Sequence, residues 1–146
     1  MSHFELTHVD SDEQHLACFD VMRELRPHLT DAAAFVAQVR RQAAHGYRLL
    51  AARQDGRVVA LAGYRVTENL IYGRFVYIDD LVASSDARRH GLGAKLIDAV
   101  RAEAKSLGCA YLVLDTALAN ALGQRFYFRQ GLLARGLHFG QALQVE

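Results

Sequence analysis

Three sets of residues could take part in chemistry. Two adjacent aspartates, Asp79 and Asp80, lie in a largely apolar segment, and a carboxylate can accept a proton or relay it through water. A basic segment that includes Arg88 and Arg89 follows, and arginines can bind an anion. Further along the chain, Tyr127 carries a phenol that can donate a proton. These residues are the first candidates for catalysis and anion binding.

The basic segment is predicted to open a helix. It reads Arg88-Arg89-His90-Gly91-Leu92-Gly93 and follows a strand that is predicted to end near Ala83. A helix start leaves about four backbone N–H groups free and carries partial positive charge. Glycines at positions 91 and 93 let this backbone approach a diphosphate closely. The turn matches neither a P-loop nor a dinucleotide-binding turn, and the alternative is an ordinary loop-to-helix junction in which the glycines simply fit.

Two motifs resemble one known family. Arg-x-x-Gly-x-Gly over residues 88–93, after a strand that contains Asp-Leu-Val, resembles the signature of the GNAT family of N-acetyltransferases. A second motif begins at Asn120 and resembles that family's Asn-x-x-Ala-x-x-Phe-Tyr-x-x-x-Gly-Phe. Gly123 replaces the usual alanine there and Leu132 replaces the final phenylalanine. The two motifs cover less than half of the chain, from Tyr77 to Leu132.

The resemblance implies acetyl-CoA as the co-substrate. It implies that the backbone of Leu81, Val82 and Ala83 pairs with the pantetheine arm and the thioester carbonyl. It also implies that the turn binds the pyrophosphate, with further coenzyme contacts from the second motif. The coenzyme-binding residues of the two motifs are then Arg88, Arg89, His90, Gly91, Leu92, Gly93, Ala94, Asn120, Gly123 and Tyr127.

The resemblance also gives Tyr127 a chemical role. Aminolysis of a thioester expels a thiolate, and the phenol can donate a proton or a hydrogen bond to it. The alternative is a core aromatic, since Phe126 and Phe128 flank it. A helix cannot bury three consecutive side chains on one face, so one of the three must differ. Asn120 has an alternative role as a helix cap.

The two aspartates have several possible roles. Asp79 and Asp80 could take the amine proton directly or through water, or bind a cationic substrate, and polyamine-type members of the family carry paired acids here. Successive strand residues point to opposite faces, so only one of the two is expected to face a given cleft. The alternative is that one aspartate binds backbone at an irregularity of the strand.

The hydrophobic pattern predicts a mixed α/β sheet, mostly antiparallel, with six or seven strands and helices on both faces. Its order is β-α-α-β-β-β-α-β-α-β, and the tail from Leu132 to Val145 is expected to supply the last strand or two. The first helix is predicted to begin at Ser11, and the second at a cap on Thr30. Asp55-Gly56 predicts a hairpin, and the run from Ala110 to Leu114 predicts a central strand buried on both faces.

Length and charge narrow the class of protein. The chain has 146 residues, which predicts one domain over residues 1–146, and its 17 Lys and Arg nearly balance its 16 Asp and Glu. That balance argues against a broad nucleic-acid surface. The seven histidines lack metal-binding spacing. We therefore expect no metal. No membrane-length apolar segment or signal peptide is seen, so we expect a cytoplasmic protein.

The function expected from the sequence is that of an N-acetyltransferase. Because no Ser-His-Asp arrangement can be identified, direct attack by a primary amine in a ternary complex is favoured over an acyl-enzyme. A small amine is the expected acceptor, with a peptide or protein amine as an alternative. A non-catalytic acyl-CoA sensor and an interaction module with a structural glycine turn are the other classes, and a homodimer is possible.

Overall fold

The structure, a computed structural model, describes residues 3–144. Five strands and five helices form within this part of the chain. In chain order they are β1 (Glu5–Val9), α1 (Asp12–Ala17), α2 (Phe19–Leu25), α3 (Ala32–Ala43), β2 (Tyr47–Gln54), β3 (Arg57–Asn69), β4 (Gly73–Ala83), α4 (Leu92–Ser106), β5 (Tyr111–Leu114) and α5 (Ala121–Arg129).

The strands form one sheet in the order β1-β2-β3-β4-β5. The pairs β1·β2, β2·β3 and β3·β4 are antiparallel, and β5 runs parallel to β4. The predicted mixed, mostly antiparallel sheet is therefore confirmed. The predicted count of six or seven strands is wrong for the described residues, which form five. The run predicted as a central strand is an edge strand of this sheet, and Tyr111 on it is 43% exposed.

The hairpin between β2 and β3 forms where the sequence predicts it. Asp55 and Gly56 both have positive φ, 53° and 77°, as a tight hairpin requires. This turn sets the register next to it, in which Gln54 lies opposite Arg57. A register shift between Ala52 and Arg53 then brings Tyr47 opposite Arg65 and Leu49 opposite Gly63. The pairing of β2 with β3 therefore depends on the local turn and on one irregularity beyond it.

Helices cover both faces of the sheet. Alternate residues of β2, including Tyr47 and Leu49, belong to a buried core that also contains Phe19 of α2 and Phe35 of α3. The residue between them, Arg48, instead contacts α4 by donating a hydrogen bond to Glu103 at 2.7 Å. Since side chains alternate along a strand, α2 and α3 pack on one face and α4 on the other.

The predicted helix starts are partly confirmed. Ser11 caps α1 in a capping box with Gln14, as expected. The cap of α3 is Asp31, whose side chain accepts from two backbone N–H groups. The prediction of Thr30 is therefore wrong by one residue, because the carboxylate provides the stronger anionic cap. The first predicted helix is interrupted at Cys18, which separates α1 from α2.

The chain divides into two compact units, one up to Leu114 and one from Asp115. The first contains the whole sheet and α1–α4, and the second contains α5 and the tail. Residues 130–144 contain no strand, so the strand predicted after Leu132 is not found there, and its end at Val145 lies outside the described residues. The single-domain expectation stays a prediction.

Candidate active site

The centre of the candidate site is an irregularity in β4. Along the β3–β4 pair, Gly63 lies opposite Asp80 and Tyr64 lies opposite Ile78, so Asp79 is an extra residue without a direct partner on β3. This is a β-bulge, which locally re-aims the side chains of the bulged strand. β4 therefore contains a strand irregularity of the kind that was the alternative explanation for the aspartates.

Both aspartates bind cationic side chains at the bulge. Arg65 donates from Nε and Nη2 to the two oxygens of Asp79, at 2.7 and 2.9 Å. Arg26, which follows α2, donates from Nε to Oδ1 of Asp80 at 3.0 Å and from Nη2 to the backbone oxygen of Asp79 at 2.8 Å. Tyr47 donates its hydroxyl to Oδ2 of Asp80 at 2.8 Å. We call these five residues the bulge cluster.

The bulge brings the partners of both carboxylates to one face of the sheet. Tyr47 and Arg65 lie directly opposite each other on β2 and β3, so their side chains share a face. Tyr47 binds Asp80 and Arg65 binds Asp79. The expectation that only one aspartate could face a given cleft is therefore wrong, because the extra residue breaks the alternation of β4.

Tyr47 reaches Asp80 only because position 63 is a glycine. A Cβ atom at Gly63 would overlap the hydroxyl of Tyr47 and stand 2.5 Å from its ring carbon Cζ. The ring is 5% exposed, and burial, with the neighbouring Asp80, raises the pKa of its hydroxyl well above the usual value. Tyr47 is therefore a neutral donor fixed in the core, and it holds Asp80 in one orientation.

A free edge of β4 begins at the bulge. β5 pairs with β4 only from Phe75 to Ile78, whereas β3 pairs with β4 as far as Ala83. Within the described residues, positions 79–83 therefore have a strand on one side only. Peptide N–H and C=O groups on such an edge can pair with an extended ligand that carries amides. The three residues assigned to the pantetheine arm, Leu81, Val82 and Ala83, lie on this edge.

The basic turn has the conformation of an anion site. Gly91 immediately precedes α4 with φ 69° and ψ 22°, a left-handed conformation that favours glycine, and no side chain within the described residues caps this helix start. Arg89 also has a positive φ, 79°. Arg88, Arg89 and His90 are exposed around the turn. Uncapped N–H groups with exposed cations beside them favour an anion.

The basic turn and the loop before it also contact α2. Glu24 of α2 accepts from the backbone N–H of Ser85 at 2.9 Å, and its carboxylate lies 3.8 Å from Arg88. The Nε of Arg88 in turn donates to the backbone oxygen of Ala83 at 3.3 Å. α2 therefore contacts both the bulge cluster, through Arg26 just after its end, and the loop before the turn, through Glu24.

The second motif forms the start of α5. The side chain of Asn120 accepts from the N–H of Gly123 at 3.0 Å and donates to the hydroxyl of Thr116 at 3.0 Å. Asn120 is thus the helix cap considered as its alternative role. A Cβ atom at Gly123 would overlap the Asn120 amide group. The missing side chain at this position therefore makes room for the cap.

Tyr127 lies in the middle of α5. Its ring packs edge-on against Phe126, with 5.3 Å between centroids, and is partly buried. Phe128 is 55% exposed, so it is the one of the three consecutive aromatic residues that does not pack on the partly buried face. Burial, and then the negative charge of Asp115, raise the pKa of Tyr127. The phenol therefore stays protonated near neutral pH, which is the state a proton donor needs.

Residues 3–144 lack two features, a metal-binding cluster and a membrane-spanning helix. No group of three or more His, Cys, Asp or Glu side chains there is arranged to hold a metal ion. In the same residues, no helix combines the length and the apolar composition needed to cross a membrane.

Comparison with known proteins identifies the class to which this fold and site correspond. The sequence profile of the acetyltransferase (GNAT) family matches residues 12–132, so the chain belongs to that family. The chain is also 31% identical over 91 residues to an aminoglycoside N(6')-acetyltransferase type 1 from Serratia marcescens. That alignment covers 60% of this chain and 62% of the relative, so the match spans less than two thirds of the relative's length.

Solved structures share the fold over nearly the whole chain. An aminoglycoside N-acetyltransferase in complex with CoA superposes with a TM-score of 0.84 and 18% identity, covering 99% of this chain and 97% of that one. A glucosamine-6-phosphate N-acetyltransferase from Arabidopsis thaliana superposes with a TM-score of 0.78 and 18% identity, covering 97% and 99%. At these identities the similarity is one of fold.

Sequence reasoning missed three members of the bulge cluster, Arg26, Tyr47 and Arg65. The hairpin turn was an incomplete signal for two of them. Counting residues back from the Asp55-Gly56 turn pairs Tyr47 with Tyr64, and only the register shift between Ala52 and Arg53 makes Arg65 its partner. Arg26 has no such signal, because it comes from the chain after α2.

Proposed function

We propose that this protein is an acetyl-CoA-dependent N-acetyltransferase that acts on a small primary amine. The observation that carries the proposal is the uncapped start of α4, opened by Gly91 in a left-handed conformation, which follows the free edge of β4 across the loop of residues 84–91. A diphosphate suits the helix start, and an amide-containing arm suits the edge. The family membership of the chain supports the same ligand.

In this proposal the acetyl group passes from the coenzyme thioester to the amine by direct attack in a ternary complex. Leu81, Val82 and Ala83 hold the arm and the thioester carbonyl through their backbone. Asp79 accepts the amine proton, directly or through water, since its side chain is 27% exposed against 15% for Asp80. Asp80 holds Arg26 and Tyr47 in place through its two oxygens, and Tyr127 supplies a proton to the departing sulfur.

Coenzyme binding tests the first half of the proposal. Gly91→Val forces a β-branched residue into a left-handed conformation at the helix start, and we expect calorimetry to show at least about tenfold weaker acetyl-CoA binding. Gly108→Val is the matched control, because Gly108 has φ 76° just beyond the other end of the same helix. Equal coenzyme affinity of the two variants would rule out the placement of the pyrophosphate.

Turnover tests the second half. Free thiol release from acetyl-CoA in the presence of an amine would establish the transferase. Coenzyme binding without thiol release across amines, amino acids, amino sugars and peptides would favour an acyl-CoA sensor instead. If the protein neither binds the coenzyme nor releases thiol, an interaction module with a structural glycine turn is favoured.

A further inference from the structure

The bulge cluster has no net formal charge. It contains two carboxylates, Asp79 and Asp80, and two guanidinium groups, Arg26 and Arg65, each bonded to one of them. The fifth member, Tyr47, is neutral because its pKa is raised by burial and by Asp80. A polycationic acceptor would therefore gain little electrostatic attraction here, although the paired acids alone suggest a cation-binding site.

The exposed part of the cluster is cationic. The side chains of Arg26 and Arg65 are each 42% exposed, against 15% for Asp80 and 27% for Asp79. All four carboxylate oxygens already accept a hydrogen bond within the cluster. Each guanidinium has five N–H groups, and the bonds within the described residues engage Nε and Nη2 only. The cluster can therefore bind a further ligand mainly through the remaining N–H groups of its two arginines.

The two guanidinium groups are held in place from different elements. Arg65 lies over the ring of Tyr77, with its Cζ 5.3 Å from the ring centroid, and its hydrogen bonds to Asp79 raise its pKa. Arg26 is fixed by Asp80 and by the backbone oxygen of Asp79. A planar, fixed guanidinium binds a carboxylate or a phosphate through paired, charge-assisted hydrogen bonds.

We propose that the acceptor is an amine that also carries an anionic group, a carboxylate or a phosphate, and that Arg26 and Arg65 bind this group. The inference rests on the proposed transferase function and specifies its acceptor. Asp80 and Val82 are two residues apart, about 6.6 Å along a strand. An anionic group bound at the bulge cluster and an amine near Val82 on the free edge of β4 would therefore be about as far apart as the two ends of a small molecule.

Matched pairs of acceptors test the proposal. We would measure kcat/KM by thiol release for 4-aminobutyrate against butylamine, and for glucosamine 6-phosphate against glucosamine, with kanamycin as a polycation. Hydrogen bonds to a charged group correspond to about 10- to 100-fold in binding. We expect the anionic member of at least one pair to be favoured by that factor. The carboxylate and phosphate pairs identify which anion is bound.

Variants assign the effect to the cluster. Arg65→Gln should remove the preference for the anionic acceptor and raise the relative kcat/KM of kanamycin, because it leaves the Asp79 charge uncompensated. Arg65→Lys keeps the charge but loses the planar fork, and should retain part of the preference if Arg65→Gln fails to fold. Arg40→Gln is the control, since Arg40 is an exposed arginine of α3 that pairs with Asp12.

The outcomes separate the two proposals. Thiol release with equal kcat/KM for both members of each pair, or a preference for kanamycin in the parent protein, would overturn the anionic acceptor and leave the transferase intact. A preference that survives Arg65→Gln and Arg26→Gln unchanged would overturn the assignment to these arginines. No thiol release with any acceptor would overturn both proposals.

Discussion

Gly63→Ala is the most direct test of how the bulge cluster is built. The added methyl group would overlap the hydroxyl of Tyr47 and lie 2.5 Å from its Cζ. Because the ring is 5% exposed and packed in the core, it has little space to move into. Overpacking of a core costs about 1–3 kcal/mol, and losing a hydrogen bond to a charged acceptor costs about 1.5–3 kcal/mol.

These costs overlap, because moving the ring relieves the overlap and breaks the bond to Asp80. We therefore expect Gly63→Ala to lower the free energy of unfolding by about 2–4 kcal/mol, or the Tm by about 6–12 °C. Urea unfolding followed by far-UV circular dichroism measures the change. Gly136→Ala is the control, since a Cβ atom there meets nothing within 4 Å, and it should change stability by less than about 0.5 kcal/mol.

A double-mutant cycle with Tyr47→Phe tests the part of the contact that the hydroxyl makes, since the ring carbon Cζ, 2.5 Å from the added methyl group, is present in both backgrounds. The phenylalanine variant removes the hydroxyl that a methyl group at Gly63 would overlap, and with it the bond to Asp80. Gly63→Ala should then cost at least about 1 kcal/mol less in the Tyr47→Phe background than in the parent. Strict additivity of the two changes, or an unchanged unfolding midpoint for Gly63→Ala, would refute the reasoning.

Three further changes have defined outcomes. Tyr127→Phe keeps the ring against Phe126 and should lower turnover by about 10²–10⁴-fold with little change in urea midpoint; turnover at the parent rate would assign Tyr127 to the core. Asp79→Asn should lower turnover while acetyl-CoA affinity stays near that of the parent, measured by thiol release and calorimetry; unchanged kinetics would assign Asp79 to structure. Burial opposes ionisation of Glu103, but the Tyr64 hydroxyl and nearby cations outweigh it and hold its pKa below 4.5. That stabilisation is present above pH 4.5 and is lost as pH falls through the lowered pKa. Glu103→Gln should therefore cost about 1–2 kcal/mol at pH 7 and less below pH 4, as measured by urea unfolding at each pH, and a pH-independent cost would contradict this.

Local signals were enough to predict most of the elements. The Asp55-Gly56 turn, the Ser11 capping box and the glycines around α4 each act within a few residues, and each is found where predicted. The helix start at the basic turn could be predicted for the same reason, and anion binding by this turn stays a prediction that depends on the helix start and on adjacent residues.

Features that depend on contacts distant in sequence were not predictable in this way. The pairing of Asp80 with Arg26 joins residues 54 positions apart, and the bulge at Asp79 depends on the register with β3. Alternation along an ideal strand therefore gave the wrong orientation for the aspartates. The run from Ala110 to Leu114 has the composition of a buried strand, but composition does not say where in the sheet a strand lies.

The separation of β4 from β5 after Ile78 has a consequence for the behaviour of the protein in solution. An open strand edge is a template for pairing with another chain and promotes aggregation. A coenzyme arm on this edge would occupy the same N–H and C=O groups, so binding would protect the edge as well as supply the acetyl group. At a concentration of 100 times Kd, such a ligand stabilises the folded state by about 2.7 kcal/mol. Preparations that lose their coenzyme should therefore precipitate sooner, and adding coenzyme A should restore their solubility.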